Sequence, residues 1–291
     1  MSKLQTLAQA IGDQVDSNRS AVGHEAHFAG HRARLTAEIH ARAPAGGAGR
    51  LCLLGAGNAG DVDLEALAAD FAEVHLVDID AEAVARAAER VSPRARGRIV
   101  LHAPVDLSGI FGRLDDWSRV APAPAAIVDE ARSGIDRVLG ALPGPFDVVI
   151  SCCLLTQLQL VLLEVVGDAH PRFGELRAVT TALHVRIVCG LIGAGGVGLL
   201  VTDLVGNDTY PLDFLPPDAN LGALMGGLLA TGNVIMVSHP GQLSAEIRRD
   251  PALRGLYAVR SPIGPWIWQN GPEKTYLVYA LEISRAAPAS S

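Results

Sequence analysis

Two short apolar runs in the first third of the chain are each followed by a segment with helical spacing. Leu51–Leu54 leads through a glycine-rich turn into a helix, and Val74–Val77 ends at Asp78 and precedes the amphipathic stretch Ala81–Val91. Short apolar runs that alternate with helices are typical of buried parallel strands. The pattern therefore predicts an α/β fold with a parallel sheet.

Two segments lie outside this strand and helix alternation. Residues 1–45 are polar and helix-prone and end in a glycine-rich joint, which predicts an N-terminal helical cap before a main domain at 46–291. Residues 204–262 are longer than a normal crossover and predict an insertion. Because open α/β sheets bind ligands at the carboxyl edge of their strands, we expect the cap and the insertion to form a substrate lid.

The turn after the first strand contains Gly55, Gly57 and Gly60 in the spacing G-x-G-x-x-G. This spacing is typical of a dinucleotide site, where a pyrophosphate binds at the helix N-terminus. Asp61 and Asp63 are expected in the first turn of that helix, and each would oppose a bound pyrophosphate by about 1 kcal/mol at an effective dielectric near 20. A cationic cofactor such as S-adenosylmethionine (SAM) would gain from the same charges.

The second strand ends at Asp78, and Ile79 follows it. A carboxylate at this position can accept hydrogen bonds from both ribose hydroxyls, and Ile79 would pack on an adenine. NAD and SAM share these groups. The segment therefore predicts an adenosine-containing cofactor without choosing between the two.

From Gly55 to about Leu281 the chain resembles the class I SAM-dependent methyltransferases. The resemblance implies a Rossmann-like, doubly wound, mostly parallel sheet of seven strands with a C-terminal antiparallel hairpin. The segments that carry it occur in the family's order: Ile99–Asp106 as the third strand and its acid, Phe146–Leu158 as the fourth strand and the loop at the methyl-transfer site, Gly195–Asp203 as the fifth strand, and Pro265–Trp268 with Lys274–Leu281 as the hairpin.

The same resemblance implies residues for the cofactor, with Asp106 accepting a hydrogen bond from the adenine amino group. Leu54 occupies the position of an acid found in many members, so the cofactor ammonium would be held by backbone carbonyls of the glycine turn or by Asp61. The expected cofactor-binding residues are Gly55, Gly57, Asn58, Asp61, Asp78, Ile79, Asp106, Leu107, Ser151 and Cys152. Candidates for substrate contact are Arg32, Thr156 and Tyr210, and candidates for catalysis are His31, Gln157 and Asp203.

His24, His27 and His31 are spaced as one face of a helix in the cap. Three interpretations remain open from the sequence. The face is solvated, or it binds a metal, or it lines the cofactor cleft, where an imidazole acts as a general base or orients the substrate. We expect no metal, because the sequence supplies no matching set of further ligands. His31 and Arg32 are the residues selected for the third interpretation.

Composition excludes several classes of protein. A formal net charge of −7 provides no basic face for nucleic acid, and the longest apolar run, Ile187–Val201, is too short to span a membrane. Met1–Asp16 lacks the pattern of a signal peptide, and the four cysteines include no C-x-x-C pair, which together favour the cytoplasm. The apolar hairpin and the cap leave a homodimer open.

The sequence therefore favours a methyltransferase that acts on a small molecule by in-line displacement at the sulfonium methyl group. Two alternatives remain. The literal G-x-G-x-x-G spacing also fits an NAD(P)-dependent oxidoreductase. A SAM-binding protein that transfers no methyl group, whether a scaffold or an enzyme using another part of SAM, would have the same cofactor residues.

Overall fold

A computed structural model describes residues 4–24 and 26–286. Eight strands of this part of the chain form one mixed sheet. They are β1 (Arg50–Leu54), β2 (Glu73–Val77), β3 (Ile99–His102), β4 (Phe146–Cys152), β5 (Ile192–Gly206), β6 (Tyr257–Val259), β7 (Ile263–Gln269) and β8 (Thr275–Arg285). The order is β3–β2–β1–β4–β5–β8–β6, and β7 also pairs with β8. Strands β1 to β5 pair in parallel, and β8 runs antiparallel to β5, β6 and β7.

Helices cover both faces of this sheet. They are α1 (Leu7–Ser20), α2 (Ala29–His40), α3 (Leu64–Asp70), α4 (Ala81–Glu89), α5 (Pro93–Arg96), α6 (Leu114–Arg119), α7 (Pro124–Ala141), α8 (Leu154–Val166), α9 (Phe173–Leu191), α10 (Leu221–Thr231) and α11 (Pro240–Arg249). Among the described helices, none combines the length and the apolar character needed to cross a membrane.

The central strand β1 has apolar side chains on both faces. Leu51 and Leu53 pack into one core with residues of α2, α3 and α4, whereas Cys52 and Leu54 pack into a second core with residues of α8 and α9. Alternate side chains of a strand point to opposite faces, so a strand covered by helices on both sides is apolar throughout. This burial confirms the expected doubly wound α/β class.

The edge of the sheet differs from the expected seven strands. The resemblance implies one strand beside β8, but two short strands, β6 and β7, occupy this place. They pair with successive parts of the same edge of β8. The chain between them contains Pro262, which has no N–H to donate to the ladder. The mostly parallel sheet with antiparallel C-terminal strands is otherwise the architecture that the methyltransferase resemblance implies.

The N-terminal segment forms two helices that lie against the carboxyl edge of the sheet. Asn18 of α1 donates from Nδ2 to Asp80 Oδ2 at 3.0 Å, and its carbonyl accepts from Asn58 Nδ2 at 2.5 Å. The expected helical face of three histidines is wrong. His24 and His27 lie in the connection between α1 and α2, after the left-handed Gly23, and only His31 lies on a helix.

Candidate cofactor-binding site

A cavity lies at the carboxyl ends of β1, β2 and β4. Its empty volume, including the part open to solvent, is about 1210 Å³. Nine of the residues expected from the sequence line it: Gly55, Gly57, Asn58, Asp61, Asp78, Ile79, Leu107, Cys152 and Gln157. The sheet order therefore brings together residues from the carboxyl ends of four strands, since Leu107 follows β3, as expected for an open α/β sheet.

The glycine turn is held by the end of β2. The backbone N–H groups of Gly55 and Ala56 both donate to the carbonyl of Val77, at 2.9 and 3.1 Å. Gly57 has φ +48°, and a Cβ at this position would lie 3.1 Å from Asn18 Oδ1. Glycine at this position adopts the left-handed backbone at little cost and permits the close approach of the Asn18 side chain from α1.

Asp78 connects the glycine turn to the start of α4. Its Oδ2 accepts from Gly57 N at 2.7 Å and its Oδ1 from Asp80 N at 2.8 Å. Burial raises the pKa of this carboxyl, and the two backbone donors oppose the rise. Each carboxylate oxygen has a second lone pair, so Asp78 can still accept hydrogen bonds from a ligand in the cavity.

Asp61 presents an unsatisfied oxygen beside the glycine turn. The side chain is 25% exposed, and its buried Oδ1 lies 3.5 Å from His31 Nε2 without completing a hydrogen bond among the described residues. Burial raises the pKa of Asp61, and the neighbouring His31 opposes the rise. The exposed part of the carboxylate lies at the cavity, where it would stabilise a cationic or N–H-bearing ligand.

The helix that follows the glycine turn begins later than expected. It starts at Leu64, so Asp61 precedes the helix and Asp63 is its N-cap rather than a first-turn residue. The Asp63 side chain accepts from Ala66 N at 3.0 Å. A carboxylate therefore already occupies the N-terminal end where a dinucleotide pyrophosphate would bind.

His31 lies behind the cavity wall and does not line it. It is 1% exposed, its Nδ1 accepts from Trp266 Nε1 at 3.0 Å, and its Nε2 lies 3.6 Å from Cys152 Sγ. The same Nε2 is 3.5 Å from Asp61 Oδ1. Burial lowers the pKa of His31, and Cys152 and Asp61 shift it upward by more. The Trp266 donor opposes that rise, because a second ring proton would have to face the indole N–H.

Several expected site residues lie outside the cavity. Asp106 does not line it: its Oδ1 accepts from Ser108 N at 2.9 Å and its Oδ2 from Phe111 N at 3.0 Å. The carboxylate therefore orders its own loop, and its neighbour Leu107 lines the cavity instead. Ser151 is also buried away from the cavity, where it pairs with His184 Nε2 at 2.7 Å.

The remaining candidates lie in three other places. Thr156 donates to Asp203 Oδ1 at 2.7 Å beneath the cavity, and burial raises the pKa of Asp203 to about 6. Arg32 donates from Nε to the carbonyl of Gly60 at 2.7 Å and lines an adjacent surface pocket. Tyr210 packs against the larger core. Within the described residues, nothing from 204–262 lines the cavity, so the expected lid from the insertion is not present there.

Sequence reasoning missed part of the cavity wall. The side chains of α1 that line it are Ile11, Gln14, Ser17 and Asn18. Phe28, Trp268 and Asn270 line it from the α1–α2 connection and from the end of the hairpin. The alternation of Trp266 and Trp268 was the available signal, since it places both rings on one face of β7. Both rings lie in the core around His31, and Trp268 also reaches the cavity.

No protein-family model and no curated protein matches this sequence. Solved structures of similar overall shape include the glycopeptide N-methyltransferase MtfA complexed with SAM, with 13% identity, a TM-score of 0.45 and coverage of 88% of this chain and 87% of that chain. A SAM-dependent methyltransferase from Methanosarcina mazei has 13% identity, a TM-score of 0.42 and coverage of 86% and 98%. A structure described for the conversion of a disulfide bond into a thioacetal group during echinomycin biosynthesis has 14% identity, a TM-score of 0.43 and coverage of 87% and 81%. Sequence identities and TM-scores this low identify neither an activity nor a substrate for this chain.

Proposed function

We propose that the protein is a SAM-dependent methyltransferase that acts on a small molecule. The observation that carries the proposal is the Asp61 carboxyl group, which lines the cavity beside Gly55 and Gly57 and is 25% exposed. The α-ammonium of SAM would supply N–H donors and the opposite charge to the exposed side of this carboxylate. A pyrophosphate would meet the carboxylate of Asp61 instead, so the NAD(P) alternative fits this cavity poorly.

The adenosine part of the cofactor fits the other end of the cavity. Asp78 would accept from the ribose hydroxyls, while Ile79 and Leu107 would provide apolar contacts for the adenine. The carboxylate of Asp106 lies outside this wall, so the adenine contact implied for it by the family resemblance is not part of the proposal. Backbone groups near Leu107 would replace it.

When bound, SAM supplies an activated methyl group that a nucleophile removes by in-line displacement. The chain's contribution is then to position the acceptor near Cys152 and Gln157 and to exclude water. Trp268 and Asn270 close the cavity on the hairpin side, and α1 closes it above the glycine turn. A cavity covered on these two sides supports a small acceptor rather than a macromolecular one. All four cysteines are free thiols, which supports a reducing compartment such as the cytoplasm.

The first experiment is calorimetric titration of the purified protein with SAM, S-adenosylhomocysteine, NAD and NADP. Binding of the two sulfur nucleosides alone is the expected result, and binding of a dinucleotide alone would refute the cofactor assignment. Binding of SAM without a methylated product from an acceptor screen would favour the SAM-binding alternative that transfers no methyl group.

The Asp61→Asn variant tests whether the Asp61 carboxylate binds the ammonium group of the cofactor. Loss of one charged hydrogen bond costs about 1.5–3 kcal/mol, which is a decrease of about 10-fold to 150-fold in affinity for both sulfur nucleosides. Affinity for 5′-methylthioadenosine, which has no ammonium group, should not change. The matched control is Asp116→Asn, an exposed carboxyl of α6. Equal losses for all three ligands would contradict the assignment of Asp61 to the ammonium.

A further inference from the structure

The hydrogen bond between Trp266 and His31 sets the position of the histidine's proton. An indole Nε1 can only donate, so Nδ1 of His31, at 3.0 Å, must accept. A neutral imidazole that accepts at Nδ1 carries its hydrogen on Nε2. His31 is 1% exposed, so bulk solvent does not compete with Trp266 for this nitrogen.

The Nε2–H group points toward two side chains at the cavity. Cys152 Sγ lies 3.6 Å from Nε2, a normal distance for an N–H···S hydrogen bond, and Asp61 Oδ1 lies 3.5 Å away. The ring is stacked on Trp268 at 4.9 Å and lies 5.9 Å from the Trp266 ring, and the orientation observed is the one in which Trp266 donates to a ring nitrogen. The hydrogen on Nε2 of His31 therefore lies between the imidazole ring and the side chains of Cys152 and Asp61.

The same three side chains have the composition of a transition-metal site. His31 Nε2, Asp61 Oδ1 and Cys152 Sγ can offer one ligand atom each, and these atoms lie within 4.8 Å of one another. Nitrogen, carboxylate and thiolate ligands suit Zn²⁺ or Co²⁺. A histidine that binds a metal through Nε2 must give up the hydrogen there, and its Nδ1–H then donates to an acceptor. In this protein the group that faces Nδ1 is the N–H of Trp266, which can donate a hydrogen bond but cannot accept one.

We propose that Trp266 is a positioning residue that holds His31 in the Nε2–H tautomer and thereby prevents His31, Asp61 and Cys152 from forming a metal site. The three side chains then remain a hydrogen-bonded wall of the cavity, with Asp61 available to a ligand. His31 has no free lone pair in this arrangement, so it cannot be the general base that the sequence suggested. The proposal concerns the protein without cofactor and does not depend on the methyltransferase assignment.

Two measurements test the proposal. In the wild-type protein, nitrogen-15 NMR of the histidine side chains should show His31 with its hydrogen on Nε2, which requires no variant. Titration with Co²⁺ alone should give no thiolate-to-cobalt charge-transfer absorption. In Trp266→Phe the aromatic ring is retained and the N–H is lost, so this absorption should appear and should disappear again in Trp266→Phe combined with Cys152→Ser.

Trp268→Phe is the matched control. Trp268 also stacks on His31, but its Nε1 makes no hydrogen bond to the imidazole, so this variant should behave like the wild type toward Co²⁺. A wild-type protein with hydrogen on Nδ1, or with the thiolate–cobalt absorption, would overturn the proposal. So would a folded Trp266→Phe that binds no Co²⁺, or equal binding by the two tryptophan variants. None of these results would bear on SAM binding.

Discussion

Replacing Asp78 by asparagine separates the two roles that its carboxylate has in the structure. One oxygen accepts from Gly57 N at 2.7 Å and the other from Asp80 N at 2.8 Å. Asparagine keeps one oxygen and presents an NH₂ group in place of the other, so one of the two backbone donors loses its acceptor. Loss of a hydrogen bond to a charged group lowers the free energy of unfolding by about 1.5–3 kcal/mol.

The same substitution should also weaken ligand binding, in addition to lowering the free energy of unfolding. Asp78 lines the cavity, and its oxygens are the acceptors that we assign to the ribose hydroxyls. A second loss of about 1.5–3 kcal/mol would weaken the binding of S-adenosylhomocysteine by the folded protein about 10-fold to 150-fold. Urea unfolding followed by circular dichroism measures the first effect, and calorimetric titration measures the second.

Asp106→Asn provides a control with the same local chemistry. Its carboxylate also accepts from two backbone N–H groups, those of Ser108 and Phe111, but it does not line the cavity. We expect a similar decrease in stability and an unchanged affinity. Equal loss of affinity in both variants would refute the placement of the cofactor and would restore the adenine contact that the family resemblance implies for Asp106.

Two further predictions follow from the cavity surroundings. The pKa of Asp203 is raised by burial from 3.8 to about 6, so its stabilising contribution is complete below pH 4 and is lost as the pH rises through 6. Over that interval, urea titrations should show the free energy of unfolding of the wild type falling relative to Asp203→Asn by up to about 3 kcal/mol, and parallel profiles would contradict this. Asn18→Ala removes the bond from α1 to Asp80, worth about 1 kcal/mol, and should speed cofactor release about 5-fold in stopped-flow measurements. Arg19→Ala removes exposed ion pairs with Asp16 and Glu82 and should leave release unchanged, whereas equal rates in all three proteins would show that α1 does not gate the cavity.

The strands and the glycine turn could be predicted because their signals are local. The predicted strand at Phe146 matches β4, and the helix expected at Ala81–Val91 corresponds to α4. Left-handed glycines at Gly55 and Gly57 likewise follow from the sequence motif. The split edge of the sheet could not be predicted, because pairing of β6 and β7 with one strand depends on where the chain returns after a long insertion.

The cavity could be predicted only on the side formed by the strand ends. Asp78 and Asp106 both follow apolar strands, yet one carboxylate faces the cavity and the other orders its own loop. A local pattern does not separate these outcomes, because each depends on where the loop after the strand turns. The histidine spacing was similarly misleading, since helix α2 begins only at Ala29.

From the sequence alone one can predict the α/β class, the succession of strands along the chain and the glycine turn, because hydrophobic periodicity and backbone preference act over short distances along the chain. The tertiary structure alone decided which polar atoms remain unsatisfied and which nitrogen of His31 carries the proton. That choice depends on Trp266, 235 residues away, and only the packing of α2 against β7 brings the two side chains into contact.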